Sequence, residues 1–251
     1  PTNDPKVWNS FIPQVRAQCD AIINFSCSMG PTAEERMSSA LIHRPEIATV
    51  IVGSMNYGRF KKAQDQGVSE FKHEWERQHL ENSRDLIFKN TYNDIETILR
   101  RGAENGTRFE FECYDISHLY NLSHFVQKGL VKGPIFIQSV FGILGGIGNH
   151  PEDVMHMRRT ADRLFGDQYQ WSVLGAGRHQ MRIAAMGASM GSHVRVGLED
   201  SLWLGKGTLA KSNAEQVRQA RQIIEGLGLQ IATPDEARQI LALKGAQKVN
   251  F

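Results

Sequence analysis

The sequence lacks several features that would define other classes of protein. Its 251 residues contain only three cysteines, Cys19, Cys27 and Cys113, and no Cys-x-x-Cys pair. Scattered cysteines of odd number do not form a disulfide framework and are typical of a reducing compartment, so we expect a cytoplasmic protein. No apolar run approaches the roughly 18 residues of a membrane span, so no membrane partner is expected. No Lys/Arg run with interleaved aromatics is present, which argues against a nucleic-acid partner.

The composition that is present indicates one folded globular domain. Apolar residues make up 41% of the chain, and 29 basic with 27 acidic residues give a formal charge of +2. The length suits a single α/β barrel. Because no low-complexity linker or internal repeat divides the chain, we predict one domain over residues 1–251.

Short apolar runs alternate with amphipathic stretches, which predicts an α/β fold with a parallel sheet and helices outside it. The predicted strands are Ala21–Phe25, Ile47–Val52, Arg108–Glu112, Pro134–Ser139, Gln170–Leu174 and His193–Val196, with the shorter run Leu86–Lys89 as a seventh candidate. The predicted helices are Pro5–Gln18, Thr32–His43, Thr91–Asn105, Ile116–Lys128, Pro151–Phe165 and Arg178–Met186. Residues 56–82 form a polar insertion, helical in its second half, and two helices, Asn213–Leu227 and Pro234–Leu243, close the chain within residues 213–251.

Three helix starts carry the capping-box pattern, in which a hydroxyl and a later carboxylate bind free backbone N–H groups. They are Thr32-Ala33-Glu34-Glu35, Ser212-Asn213-Ala214-Glu215 and Thr233-Pro234-Asp235-Glu236. The patterns fix where these helices begin.

The number of strands leaves two architectures open. Six strands are too few to close an eight-stranded barrel, whereas an open doubly wound sheet tolerates six. The chain starts with Pro1-Thr2-Asn3-Asp4-Pro5, a turn that leads directly into a helix with no strand before it. This start favours a (β/α)8 TIM barrel that lacks its first two strands.

Charged side chains gather at the end of the last predicted strand. Arg195, Glu199 and Asp200 lie within six residues of one another. Adjacent carboxylates raise each other's pKa unless a cation intervenes. Arg195 could neutralise one and a metal ion the other, which makes Glu199 a candidate metal ligand and Asp200 a base that Arg195 orients. The alternative is a salt bridge that closes the rim of the barrel.

A glycine-rich loop, Gly142–Gly148, follows the Pro134–Ser139 strand. Such a loop lets backbone N–H groups approach a phosphate or carboxylate. Its glycines do not have the spacing of the dinucleotide-binding fingerprint. A tight turn without a ligand is the alternative.

The stretch Gly191–Trp203 closely resembles the signature of the β-keto acid cleavage enzymes. The resemblance extends over essentially the whole chain. Its supporting matches are Pro1-Thr2-Asn3-Asp4-Pro5, Gly53-Ser54-Met55-Asn56-Tyr57, Phe88-Lys89-Asn90-Thr91, Glu112 through Asp115 to His118-Leu119, Trp171-Ser172-Val173-Leu174-Gly175 and Ala232-Thr233-Pro234. The family resemblance implies a (β/α)8 barrel that binds zinc and converts a β-keto acid, with acetyl-CoA, into acetoacetate and a new CoA thioester.

The resemblance also implies roles for individual residues. Glu199 is expected to bind zinc, and Asp200, paired with Arg195, to deprotonate the substrate. The positions expected to hold the substrate or assist acyl transfer are Ser54, Thr91 and Glu112, and those expected near the CoA are Gly142, Gly145 and Gly146. The family further implies a homo-oligomer, with a tetramer expected.

The sequence departs from the family in ways that affect these expectations. The other two zinc ligands of the family are a His-x-His pair, and no His-x-His occurs in this chain. We therefore expect the two histidines upstream of residue 1, together with the missing strands. Ser26-Cys27-Ser28 replaces a threonine-rich turn and Ser192 a glycine, and the 56–82 insertion borders the expected pocket, which leaves the particular β-keto acid undetermined.

Two other functions remain as alternatives at this point. The chain could be a catalytically silent barrel fragment that binds an acyl-CoA or a partner subunit without turnover. It could also be another barrel lyase, such as a Schiff-base aldolase, which needs a lysine at a strand end. Lys89 is the only candidate for that lysine.

Overall fold

The computed structural model describes residues 4–28, 30–58, 60 and 69–251. Its strands are β1 (Asn24–Ser26), β2 (Ile47–Ile51), β3 (Met55–Asn56), β4 (Ile87–Phe88), β5 (Arg108–Cys113), β6 (Ile135–Phe141), β7 (Tyr169–Gly175), β8 (His193–Arg195), β9 (Trp203–Gly205) and β10 (Thr208–Leu209). Its α-helices are α1 (Pro5–Asn9), α2 (Ile12–Gln18), α3 (Ala33–His43), α4 (Glu74–Asn82), α5 (Tyr92–Glu104), α6 (Ile116–Gln127), α7 (Pro151–Phe165), α8 (Gln180–Ser189), α9 (Asn213–Gly226) and α10 (Pro234–Ile240).

Six strands form one curled parallel sheet in the order β1-β2-β5-β6-β7-β8. Each pair in this sheet is parallel, and the strands lie side by side in the order in which the chain makes them. A doubly wound sheet reverses its strand order, whereas a barrel does not. The α/β prediction is therefore confirmed, and the strand order is that of a TIM-like fold.

The prediction that Leu86–Lys89 adds a strand to the parallel sheet is wrong. The structure contains β4, Ile87–Phe88, but this strand pairs antiparallel with β3 in a separate two-stranded sheet. The side chain of Phe88 is buried while that of Ile87 is 60% exposed. One-sided burial of two residues is typical of a short ribbon that covers the end of a sheet, not of a central parallel strand.

The predicted helix Pro5–Gln18 is also wrong as a single element, because the structure divides it into α1 and α2. Each helix begins with a proline in its first turn, Pro5 in α1 and Pro13 in α2. Proline has no N–H to donate and clashes with the preceding turn, so a helix cannot run through Pro13 without loss. The break at Ser10 and Phe11 follows from this.

The capping predictions are confirmed to different degrees. Thr233 and Glu236 make the full reciprocal box at the start of α10. At α3 and α9, the hydroxyl groups of Thr32 and Ser212 accept the expected backbone N–H, but the reciprocal half is missing. The carboxylate of Glu215 accepts instead from the N–H of Lys211.

The helix-facing side of the sheet carries the main apolar core. Alternate residues of the central strands are fully buried there, as a period of two requires. They include Ala48, Val50, Phe111, Ile137 and Val173. The other face carries polar residues at the intervening positions, and this face forms the candidate site described below. Among the described residues, none of the helices has the length and apolar character needed to cross a membrane.

Arg238 on α10 forms ion pairs with residues that precede β1 and β2. Arg238 contacts Asp20 at 2.7 Å, Glu46 at 3.0 Å and Asp235 at 3.1 Å. The side chain of Glu46 is only 4% exposed, so its charge depends on this partner. The cluster lies at the end of the sheet opposite to the candidate site and stabilises the fold without taking part in that site.

Candidate active site

The guanidinium of Arg195, at the carboxyl end of β8, holds three carboxylates together. It donates to Asp200 through Nε at 3.0 Å and Nη2 at 3.2 Å, and to Glu199 through Nη2 at 3.2 Å. Its Nη1 donates at 3.0 Å to Glu112, which lies 83 residues earlier on β5. Parallel strands end at the same edge of the sheet, and this edge is where barrel enzymes carry their sites.

The three carboxylates differ strongly in exposure. The side chain of Asp200 is 9% exposed and that of Glu112 is 7% exposed, whereas that of Glu199 is 78% exposed. Burial alone would lower the pKa of Arg195, but the Glu112 and Asp200 carboxylates raise it above its ordinary value. The sequence analysis expected Arg195 to neutralise one carboxylate and a metal ion the other. In the structure Arg195 donates to both Glu199 and Asp200.

Glu112 has a strongly perturbed carboxyl group. Burial raises its pKa from the ordinary 4.5 to about 7, although the Arg195 charge lowers it. The hydroxyl of Tyr114 donates to Glu112 Oε2 at 3.0 Å and also favours the ionised form. A carboxyl poised near neutral pH in a cleft can both accept and donate a proton during a reaction.

A buried polar layer lies behind this cluster, and the sequence analysis did not identify it. Glu110 accepts from Thr49 at 2.7 Å, from Asn24 at 2.9 Å and from Gln138 at 2.7 Å. The other end of the Gln138 amide accepts from Arg195 Nη1 at 3.3 Å. The signal was present as polar residues at alternate positions of apolar strands, such as Glu110 and Gln138.

Ser54 and Thr91 lie in the loops that follow β2 and β4. The hydroxyl of Ser54 accepts the backbone N–H of Asn90 at 2.8 Å. The hydroxyl of Thr91 accepts the N–H of Asp94 at 3.1 Å and caps α5. The β3–β4 ribbon between these loops packs through Met55 and Phe88 against Tyr114, the partner of Glu112. The structure therefore brings Ser54 and Thr91 to the same end of the sheet as Glu112. The Thr91 hydroxyl is already engaged as the N-cap of α5.

The glycine loop after β6 is built for close backbone contact. Gly145 has a φ of +105°, and a Cβ there would collide with the carbonyl of Asn56. A Cβ at Gly146 would lie 2.6 Å from the carbonyl oxygen of Tyr114. The N–H groups of Gly142 and Gly146 donate to carbonyls within the loop, at 3.0 Å each. Close packing therefore explains Gly145 and Gly146, and Gly142 and Gly146 do not offer their N–H groups to a ligand in this conformation.

The described residues do not by themselves fit a catalytic zinc. A catalytic zinc takes three protein ligands of the His, Cys, Asp or Glu type. Within the described ranges, no three such side chains are grouped to hold a metal ion. Glu199 is exposed but turned to Arg195, and Asp200 and Glu112 are occupied by the same guanidinium.

Lys89 does not have the surroundings of a Schiff-base lysine. Its side chain is 60% exposed, and its Nζ lies 3.8 Å from Asp94 Oδ2. A Schiff-base lysine needs burial or neighbouring cations that lower its pKa. Lys89 follows β4, which lies outside the main sheet, so it is not at the end of a barrel strand. The Schiff-base aldolase alternative therefore has no suitable lysine among the described residues.

The curled parallel sheet is that of a TIM-like fold, and the carboxylate–arginine cluster lies at the carboxyl ends of its strands. The model of the β-keto acid cleavage enzyme family matches residues 1–243, and the chain belongs to this family. It is similar to a 3,5-dioxohexanoate:acetyl-CoA acetone transferase of Paraburkholderia graminis, with 59% identity over 253 aligned residues that cover 100% of this chain and 81% of the relative.

More distant relatives carry related names. A 3-keto-5-aminohexanoate cleavage enzyme of Fusobacterium nucleatum is 33% identical, over 97% of this chain and 79% of the relative. A 3-oxoadipate:acetyl-CoA acetyltransferase of Cupriavidus necator is 26% identical, over 97% of this chain and 76% of the relative. The resemblance stated from the Gly191–Trp203 signature is confirmed.

The raised pKa of Glu112 predicts a pH-dependent stability. The folded carboxyl keeps its proton up to about pH 7, whereas the unfolded one loses it near 4.5. The contribution to stability is therefore full below pH 4.5 and is lost as the pH rises through 7. We expect the unfolding free energy of the wild type, relative to Glu112→Gln, to fall by up to about 3 kcal/mol between pH 4.5 and 8.

Urea denaturation at both pH values measures this difference. The Glu112→Gln variant is the reference because it keeps the volume and cannot titrate. A difference between the two proteins that does not change with pH would contradict a raised pKa for Glu112.

Proposed function

We propose that this chain catalyses the conversion of a β-keto acid and acetyl-CoA into acetoacetate and a new CoA thioester. The proposal is supported by membership of the family and by relatives named for β-keto acid cleavage and for acetyl-CoA-dependent transfer. The observation that carries it is the buried Asp200 carboxylate held by two hydrogen bonds from Arg195. A base that is fixed and kept ionised is what proton abstraction beside a carbonyl requires.

Asp200 acts first in the proposed reaction. It removes a proton from the carbon between the ketone and the carboxylate of the substrate. The carbanion attacks the thioester carbon of acetyl-CoA, a C–C bond forms, and the CoA thiolate leaves. The thiolate then attacks the original ketone carbon and the old C–C bond breaks, which forms the new thioester. The acetoacetate carbanion that leaves takes the proton back from Asp200 and becomes acetoacetate.

The other side chains of the cluster position and balance charge. Arg195 orients Asp200, because its guanidinium fork binds both carboxylate oxygens. Glu112, with a pKa of about 7, is the group that exchanges a proton in the acyl-transfer steps. In the proposal Ser54 and Thr91 hold the substrate, and the loop of Gly142, Gly145 and Gly146 lies near the CoA.

Zinc enters the proposal through one ligand of this chain. The exposed carboxylate of Glu199 would bind it together with two histidines supplied from a segment upstream of residue 1. When bound, zinc would polarise the carbonyl of the keto acid. The described residues alone do not complete such a site, so the steps above are assigned only to side chains of this chain.

The architecture proposed for the complete protein is an eight-stranded barrel. Among the described strands, β1 and β8 each have one neighbour in the sheet, and unpaired edges expose backbone groups. Two further strands would pair with both edges and close the curl. We take residues 1–251 as a single domain with an insertion at 56–82, part of which lies outside the described residues, and with C-terminal helices in 213–251. A homo-oligomer, a tetramer in the family pattern, is part of the proposal.

The activity is tested by incubating the protein with acetyl-CoA and a panel of β-keto acids that includes 3,5-dioxohexanoate. Acetoacetate and the new thioester are measured by mass spectrometry. Zinc per chain is measured on the same sample and on a form extended by an upstream segment with His-x-His. Acetoacetate that depends on both substrates supports the function, and about one zinc only in the extended form supports the ligand set. CoA binding without turnover in either form would favour a silent binding barrel instead.

A further inference from the structure

The co-substrate in the proposed function brings strong negative charge to the protein. Acetyl-CoA carries a diphosphate and a 3′-phosphate at the end opposite to its thioester. Phosphates are bound in proteins chiefly by arginine, lysine and free backbone N–H groups. The N–H groups of Gly142 and Gly146 are already used within their own loop. Cationic side chains elsewhere on the rim are therefore the stronger candidates for binding the phosphates.

The turn after β7 carries uncompensated cations. A short 3-10 turn, Gly177–His179, leads directly into α8. Arg178 and Arg182, four residues apart and both exposed, lie beside His179. Burial, and then the charges of these two arginines, lower the pKa of His179. No carboxylate of the described residues lies within ion-pair distance of either guanidinium, unlike Arg158 and Arg221, which pair with Asp162 and Glu225.

A lysine from the next hairpin adds to this surface. Strand β9 of the β9–β10 ribbon packs against the Gly177–His179 turn. Lys206 lies at the tip of this ribbon, between Gly205 and Gly207, and is exposed. It has no carboxylate partner in the part of the chain that the structure describes. Like charges gathered without counter-charge create a positive potential that attracts an anion.

The surface adjoins the proposed catalytic base. The backbone N–H of Gly177 donates to the carbonyl oxygen of Asp200 at 2.8 Å. Arg178 is the next residue along the chain, so the cations lie at the same rim as the carboxylate cluster. The pantetheine arm between the thioester and the phosphates is long and flexible. An anion on this surface is therefore compatible with a thioester placed at Asp200.

We propose that Arg178, Arg182 and Lys206 form the binding site for the phosphate groups of acetyl-CoA. This inference rests on the proposed function, because it names the subsite for the co-substrate of that reaction. It assigns the recognition of phosphate to these cations, while the glycine loop lies near the CoA without binding its phosphates.

The test compares the affinity for CoA with the affinity for pantetheine, which has the same arm but no phosphates. Isothermal titration on the full chain gives both dissociation constants. We expect the wild type to bind CoA more tightly than pantetheine. In the Arg178→Ala/Arg182→Ala variant, the ratio of the two dissociation constants should fall by about tenfold to a hundredfold. Each lost charge-assisted hydrogen bond is worth roughly a factor of ten in affinity. The charge-retaining variant Arg178→Lys/Arg182→Lys should keep most of it.

Lys132→Ala is the control for net charge, and its effect is compared per charge removed, because it removes one cation and the double alanine variant removes two. Lys132 is exposed and precedes β6, so it lies at the amino end of the sheet, away from the rim. If this control lost the preference for CoA to the same extent, the effect would be explained by net charge alone and the inference would be overturned. An unchanged preference in the double alanine variant would also overturn it. In that case acetoacetate formation by the wild type would still support the proposed function. A wild type that binds no CoA and forms no acetoacetate would contradict both the proposed function and this inference.

Discussion

Replacing Asp200 with asparagine is expected to lower kcat by about a hundredfold to ten-thousandfold, the range for loss of a positioned general base. The amide has nearly the volume of the carboxylate and can still accept from Arg195. It cannot take a proton from the substrate carbon. Because the change removes the base without removing the fork that holds it, we expect KM for the keto acid to change much less than kcat. Steady-state rates of acetoacetate formation measure both.

Asp235→Asn is the matched control for this variant. Asp235 is also held by an arginine, with Arg238 Nη1 at 3.1 Å, but it lies at the amino end of the sheet. We expect its rate to equal that of the wild type. An Asp200→Asn variant with unchanged kcat would remove Asp200 as the base and leave the cluster as a salt bridge at the rim.

Replacing Arg195 with methionine is expected to destabilise the fold by about 3–5 kcal/mol at pH 8, the usual loss when one partner of a buried ion pair is removed. Two carboxylates depend on this cation, and the side chains of Glu112 and Asp200 are 7% and 9% exposed. Without Arg195 the pKa of Glu112 rises further, because its charge loses the partner that lowers that pKa. At low pH the carboxyls of the cluster can take up protons and no longer leave a buried charge without a partner. We therefore expect a smaller loss in the free energy of unfolding at pH 5 than at pH 8.

Urea denaturation of both proteins at the two pH values measures the effect. Arg221→Met is the control, because Arg221 and Glu225 form an exposed pair four residues apart on α9. Exposed helix pairs contribute only about 0.3–0.5 kcal/mol. A loss for Arg195→Met no larger than this control, at either pH, would show that the cluster does not hold buried charge.

The sequence was sufficient to predict the parallel sheet and the positions of its six strands to within a few residues. Each of these strands was predicted from a short apolar run, and those ending at Ser26, Cys113 and Phe141 are followed by helices with a side-chain N-cap. Thr91 and Thr233 mark two of the helix starts by local hydrogen bonds. Such signals depend on neighbours along the chain, and the structure preserves them.

Local signals could not decide two features of the structure. Leu86–Lys89 has the composition of a strand, but only the packing of Phe88 under Tyr57 and beside Tyr114 shows that it belongs to a covering ribbon. The glycines of the loop after β6 looked suited to an anion. Their reason in the structure is the close approach of the Asn56 and Tyr114 carbonyls, from elements distant in sequence.

The candidate site divides in the same way. The sequence by itself placed Arg195, Glu199 and Asp200 close together, because they lie within six residues at the end of one strand. Only the tertiary structure decided that Glu112 shares the same guanidinium and that Glu110 and Gln138 support it from behind. These contacts join strands 28 to 83 residues apart. Parallel strands bring distant residues to one edge of a sheet, and the register that aligns them is set by packing of the whole domain.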